Sequence, residues 1–164
     1  MSLALFQSRF RHVAAVAALA VLTGLFCAGS PAQADARPST CFGKKINRVV
    51  SSNGGTVRLK FRDVTWVSGK GVTVIGKPFS RICAGEGSQT IYAGKGINFT
   101  DAGPGNDRIF AAQGDATVNG GPGNDFIRTE KGNKLRVSGG SGDDNIRTGR
   151  GNSVVVDGGS GNDR

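Results

Sequence analysis

From about residue 75 onward, large aliphatic residues arrive mostly singly, each isolated by glycine and polar residues, at a spacing of nine. Ile82, Ile91, Ile109, Val118, Ile127 and Ile146 take the eighth position of successive blocks, with Thr100 the weak member of the series. Blocks begin at Ile75, Ala84, Ala93, Ala102, Ala111 and Gly120 without slippage; those at Thr129 and Thr148 gain one residue, and Gly139 and Gly158 start the others. In the longer blocks Leu135 alternates with Val137, and Val154 with Val156. A strand of three residues turns one side chain inward and its two neighbours outward. Each block therefore reads as a six-residue turn and a short strand, and two blocks make one coil. The pattern predicts an all-β fold: a parallel β-roll (β-solenoid) of two short-stranded parallel sheets, with glycine-rich turns and about 18 residues per coil. Stacked coils are spaced as paired strands are, about 4.8 Å apart.

The turns along one edge are nearly identical. They read AGPGND (Ala102 to Asp107), GGPGND (Gly120 to Asp125), GGSGDD (Gly139 to Asp144) and GGSGND (Gly158 to Asp163). Asp107, Asp125, Asp144 and Asp163 share the sixth turn position, so a roll stacks them in a column. Glycine suits tight reversals that need positive φ, and such turns can aim their carbonyls at one axis. Two carboxylates ~5 Å apart repel by about 3 kcal/mol at an effective dielectric of 20, so the column opposes stacking unless a cation intervenes. A hard cation such as Ca²⁺ takes six to eight oxygen ligands, from carboxylates and carbonyls.

The motif glycine-glycine-x-glycine-x-aspartate-x-aliphatic-x resembles that of the repeats-in-toxin (RTX, haemolysin-type) calcium-binding family, from Ala84 to the end of the chain. The order Cys-x-Gly-Lys, degenerate coils, Arg-Ile-Cys-Ala-Gly, regular coils is similar to small secreted actinobacterial members. The resemblance implies an ion between each turn and its equivalent in the next coil. Asp107 with Asp125, Asp125 with Asp144, and Asp144 with Asp163 would define three sites in one column. The turn residues implied around them are Gly103, Gly105 and Asn106; Gly120, Gly121, Gly123 and Asn124; Gly139, Gly140, Gly142 and Asp143; and Gly158, Gly159 and Asn162. Glu86 and Gln89 in AGEGSQ are candidates for a weaker fourth site under Asp107.

The opposite edge departs from the family pattern. Its turns, AGKGIN, AAQGDA, TEKGNK and TGRGNS, place Asn98, Ala116, Lys134 and Ser153 at the sixth position, and Lys95, Lys131 and Arg150 add positive charge. This column reads as metal-free, with Asp115 an exposed turn residue. Upstream, the stretch from Val49 to Val74, with VRLKF and VTVIG, reads as further β structure without turn ligands.

The N-terminus reads as an export signal. Arg9, Arg11 and His12 precede an apolar run from Val13 to Ala28, and Ala32-Gln33-Ala34 has the form of a signal-peptidase site. The expected organisation is a signal peptide over 1–34, degenerate β coils or a cap over 35–74, and the repeat roll over 75–164. The run is short for a membrane span, and Phe26 argues against lipid modification of Cys27. Cleavage after Ala34 predicts a secreted, extracellular protein and removes Arg9 and Arg11, lowering the formal charge from +9 to +7. Cys41 and Cys83 remain, and an even pair in an exported chain favours a disulfide. Closing a loop of roughly forty residues contributes about 4 kcal/mol in the chain-entropy model.

Arg108, Arg128, Arg147 and Arg164 flank inward aliphatics and point outward from one sheet, with Lys134 and Arg136 outward from the other. The functional reading of this basic face is contact with a polyanion such as a cell-wall polymer; the simpler reading is a solvated surface. An exported chain without a recognised nucleic-acid motif is a poor partner for nucleic acid. A small polysaccharide-active β-helix enzyme is the least favoured reading, because residues 35–164 contain no histidine and the carboxylate column already has a metal role. The last block stops at Arg164, leaving an open coil that another copy could pair with. The function expected is a non-enzymatic, secreted β-roll that calcium folds and stabilises.

Overall fold

The computed structural model describes residues 38–164. The expected export signal and its cleavage site lie outside the described residues. Among the described residues no helix is long and apolar enough to cross a membrane.

The chain winds into a parallel β-solenoid of about six turns with about 18 residues per turn. One sheet has six strands: β4 (Thr56–Arg58), β6 (Thr73–Ile75), β8 (Thr90–Ala93), β10 (Arg108–Ala111), β12 (Phe126–Thr129) and β14 (Asn145–Arg147). The other has seven: β3 (Arg48–Ser51), β5 (Val64–Ser68), β7 (Arg81–Ala84), β9 (Asn98–Asp101), β11 (Ala116–Pro122), β13 (Lys134–Ser141) and β15 (Ser153–Ser160). Within each sheet every strand pairs in parallel with its equivalent one coil away, and both sheets continue upstream of residue 75 to residues 48–58.

The single inward aliphatics stack as the nine-residue period requires. In the six-stranded sheet Val57, Val74, Ile91, Ile109, Ile127 and Ile146 form one ladder. In the seven-stranded sheet Thr65, Ile82, Thr100, Val118, Val137 and Val156 form another. Ile91, Ile109 and Ile127 are fully buried, and burying each such side chain is worth about 1.5–3 kcal/mol. The two ladders meet to give a narrow core one side chain deep on each side, which is why glycine-rich sequence suffices around it.

In the repeat coils the turns are pressed together at glycines that leave no space for a Cβ. Gly105 and Gly123 adopt φ of 147° and 133°, and a Cβ on either would strike the carbonyl of Gly87 or Gly105 in the coil before. This close approach lets the strands run into the turns: β11, β13 and β15 extend through their double glycines, pairing Gly121 with Gly140 and Gly140 with Gly159.

Outside the roll, β1 (Thr40–Cys41) and β2 (Lys44–Lys45) form a small antiparallel pair. A disulfide joins Cys41 to Cys83, with a Cα separation of 5.8 Å, and packs with Trp66 in a small cluster of its own. The hairpin is thereby fastened to the outer face of β7.

Candidate metal centre

The four aspartates fall in one file along one edge, as their common turn position predicts, and adjacent coils share them. Oδ1 of each accepts a backbone N–H one coil back: Asp107 from Gln89 at 2.5 Å, Asp125 from Asp107 at 2.7 Å, Asp144 from Asp125 at 2.8 Å and Asp163 from Asp144 at 2.9 Å. The second carboxylate oxygen is the informative one. Oδ2 of Asp107, Asp125 and Asp144 is buried with no hydrogen-bond partner, in side chains that are 1, 2 and 2% exposed. A buried charged oxygen without a partner is costly and rare in folded chains.

Burial raises the Asp107 carboxyl to about 7, against the lowering effect of the Gln89 amide, and the neighbouring Asp125 adds to the rise. Burial likewise raises Asp125 to about 6, with Asp144 adding to it and the Asp107 amide opposing it. Asp144 is shifted the same way, by burial first and then by the charges of Asp163 and Asp143 against the Asp125 amide. In each case burial is the first cause, and like charge from a neighbouring carboxylate adds to it.

The first turn position shows what surrounds these oxygens. A Cβ added to Gly120 would collide with Asp125 Oδ2 and with the carbonyl oxygen of Gly139; one added to Gly139 would meet Asp144 Oδ2 and the carbonyl of Gly158. Missing side chains thus leave room where a carboxylate oxygen of one turn approaches a carbonyl of the next. Ala102, fully buried, carries a methyl at this position in the first turn of the file.

The donor set is all oxygen. Among the described residues no three His, Cys, Asp or Glu side chains converge on one point, so backbone carbonyls have to complete any shell. That chemistry fits a hard, high-coordination ion such as Ca²⁺ and not a tetrahedral nitrogen- and sulfur-liganded metal. Asn106, Asn124, Asp143 and Asn162 form a separate, exposed ladder beside it: Oδ1 of Asn106, Asn124 and Asp143 each accepts the backbone N–H of the next member at 2.9 Å.

The upstream end of the file is closed by an amide. Gln89 is 2% exposed, and its Nε2 donates to the carbonyls of Gly69, Gly85 and Glu86 at 3.0, 3.4 and 3.2 Å. Carbonyls of this turn therefore face a nitrogen donor, which disfavours the weak fourth site expected at Glu86 and Gln89; Glu86 itself is exposed.

The opposite edge has a different interior, and its register corrects the expected one. Asn98 and Ala116 do stack, but Ala116 pairs with Leu135 and Leu135 with Val154, while Lys134 pairs with Ser153 on the exposed side. The additional residue of the longer blocks enters the turn, and Asp115 Oδ1 holds it by accepting from the backbone N–H of both Asn133 and Lys134 at 2.9 Å. Leu135, buried, fills its turn interior, and Val154, exposed in the last coil, stacks on it; they come within 2.9 and 3.0 Å of where a Cβ would sit on Gly132 and Gly151. Asn98 plugs its own turn, Nδ2 donating to the carbonyls of Gly94 and Gly96.

The outward arginines divide between two columns of the six-stranded sheet. Arg108 aligns with Phe126 and Asn145, and Arg164 continues that line through its backbone bond to Asp144; Arg128 and Arg147 align with Tyr92 and Phe110. The sequence reading missed the aromatics between them. Tyr92 stacks on Phe110 at 5.0 Å and 12°, and Phe110 meets Phe126 at 5.8 Å. The available signal was Tyr92 and Phe110 at the same block position one coil apart.

The profile of the RTX calcium-binding nonapeptide repeat matches four copies, over residues 84–118, 112–133 and 138–164. No curated protein and no solved structure gives a significant match to the chain. The sixth-position aspartates, the partnerless oxygens and the profile coincide over the same coils, and residues 84–164 are an array of RTX calcium-binding nonapeptide repeats.

Proposed function

We propose that this chain is an exported, non-enzymatic β-roll whose C-terminal coils are ordered by calcium held in a single file. The observation that carries the reading is the set of three buried Oδ2 atoms, on Asp107, Asp125 and Asp144, repeated coil by coil without a hydrogen-bond partner. Asp107, Asp125, Asp144 and Asp163 hold the ions in three shared sites, and carbonyls of the intervening turns, among them those of Gly139 and Gly158, complete the shells. When bound, calcium supplies the positive charge that lets successive carboxylates stack. The protein's own contribution is geometric: as the coils stack, the neighbouring amide takes Oδ1 and leaves Oδ2 for the ion.

Binding is then part of folding, as in small domains whose site does not exist in the unfolded chain. Export suits such a protein, because the unfolded chain meets its ion only outside the cell. A calcium titration by calorimetry, with circular dichroism on the same samples, tests the reading. The expected result is about three ions per chain and a gain of β signal on adding calcium to chelator-treated protein. A spectrum indifferent to both calcium and chelator would sink it.

A further inference from the structure

The residue that points into the turn changes along the chain. At Asp107, Asp125, Asp144 and Asp163 the sixth residue is a carboxylate; at Gln89 and Asn98 it is an amide. Gln89 belongs to the same file as the aspartates, since its backbone N–H donates to Asp107 Oδ1. Its side chain nevertheless does the reverse of theirs: it brings a polarised NH₂ to the carbonyls of Gly69, Gly85 and Glu86, in its own turn and the turn before. Its Oε1 is left without a partner, as is Oδ1 of buried Asn98, whose NH₂ likewise faces the carbonyls of Gly94 and Gly96. Both amides thus satisfy inward carbonyls with the nitrogen and leave the oxygen unpaired.

We infer that Gln89 is a built-in substitute for the ion: its amide occupies the cation position of the turn 84–89, ends the calcium file there, and lets the coils before it fold without calcium. Asn98 does the same for the turn 93–98 of the opposite edge. An NH₂ group carries partial positive charge to carbonyl oxygens as a cation does, and it needs no counter-charge from a carboxylate. The coils it closes have other holds: the Cys41–Cys83 disulfide, the buried Val67, Val72, Val74, Ile82 and Ile91, and Arg81 lying 4.4 Å over the Phe99 ring. The chain is therefore divided into a calcium-independent base, through about Asp101, and a calcium-dependent stack built on it. The base gives the downstream coils a preformed edge to pair with, so that the first ion is bound against existing structure. This inference rests on the calcium reading of the aspartate file.

Two measurements on the full chain test it. Hydrogen exchange in EGTA should leave amides of β5 to β8 protected while those of β11 to β15 exchange freely; uniform exchange along both segments overturns the inference. Gln89→Asp should add about one ion to the calorimetric count and make protection of β8 calcium-dependent, whereas Gln89→Leu should lose protection there without rescue by calcium. If wild type binds calcium and Gln89→Asp binds the same number, or stays unfolded at millimolar calcium, the substitution idea is overturned and the calcium reading stands. If wild type binds no calcium, the calcium reading has failed and this one with it.

Discussion

The backbone amide of Asp107 donates to Oδ1 of Asp125, 2.7 Å away in the next coil, so each carboxylate is oriented by the coil before it. A carboxylate placed this way faces two neighbours, and under the proposed assignment Asp125 serves two ions where Asp163 serves one. Asp125→Asn is therefore expected to lower the calorimetric count from about three to about one, and Asp163→Asn only to about two. Both substitutions keep Oδ1 for the neighbouring amide, so loss of ions can be separated from loss of that hydrogen bond. Equal counts for the two variants would contradict the shared-file arrangement.

The raised carboxyl values give the calcium-free chain an unusual pH response. Folded-state values of about 7 for Asp107 and about 6 for Asp125 lie above the ordinary 3.8, so the apo fold binds protons more tightly than the unfolded chain. Their favourable contribution is complete below 3.8 and is lost as pH rises through about 6 and about 7. In EGTA the β signal should be stronger near pH ~5 than near pH ~8. Calcium competes for the same oxygens, so its affinity should rise across that window as the protons leave. Circular dichroism at the two pH values, with and without calcium, reads both effects; an apo signal that grows with pH would contradict the burial of these oxygens.

Much of this was legible because a solenoid repeats its physics. The isolated aliphatics at Ile91, Ile109 and Ile127 could only be buried by stacking, and four aspartates at one turn position could only form a file. The opposite edge was less legible. Counting residues showed that the block at Thr129 gains one, but strand pairing alone reveals that the gain sits in the turn and that Leu135, not Lys134, follows Ala116 inward. The extension of β11, β13 and β15 into the glycines was hidden for another reason: parallel pairing there uses only backbone groups. The role of Gln89 was hidden because glutamine at a ligand position reads first as a poor ligand, and only the placement of Nε2 shows it facing carbonyls.

Gly120 offers a test of space alone. Its backbone is not in the left-handed region, yet a Cβ there would strike Asp125 Oδ2 and the Gly139 carbonyl. Gly120→Ala should therefore weaken calcium binding by roughly tenfold or more, about 1.4 kcal/mol. Gly123 is the contrast. It combines φ of 133° with a Cβ position that overlaps the Gly105 carbonyl, so Gly123→Ala should lower thermal stability even at saturating calcium. Calcium titration of the first variant and melting of the second in excess calcium separate the two roles.

The outer face of the six-stranded sheet separates structure from recognition in the same manner. Phe110 contacts both Tyr92 and Phe126, and an aromatic pair is worth about 0.5–1.5 kcal/mol beyond its area. Phe110→Ala should thus destabilise the calcium-loaded roll by about 1–3 kcal/mol in urea titration. Arg128 and Arg147 are exposed and form no ion pair among the described residues, while Arg147 lies 5.9 Å over the Phe126 ring, a contact worth about 0.5–1 kcal/mol at an exposed site. Arg128→Ala with Arg147→Ala should therefore change stability by no more than about 1 kcal/mol. If the basic face contacts an acidic polysaccharide, the arginine pair should abolish a salt-sensitive pull-down while shifting the urea midpoint less than Phe110→Ala does. Retention that ignores both salt and the double substitution would leave the arginines a solvated surface.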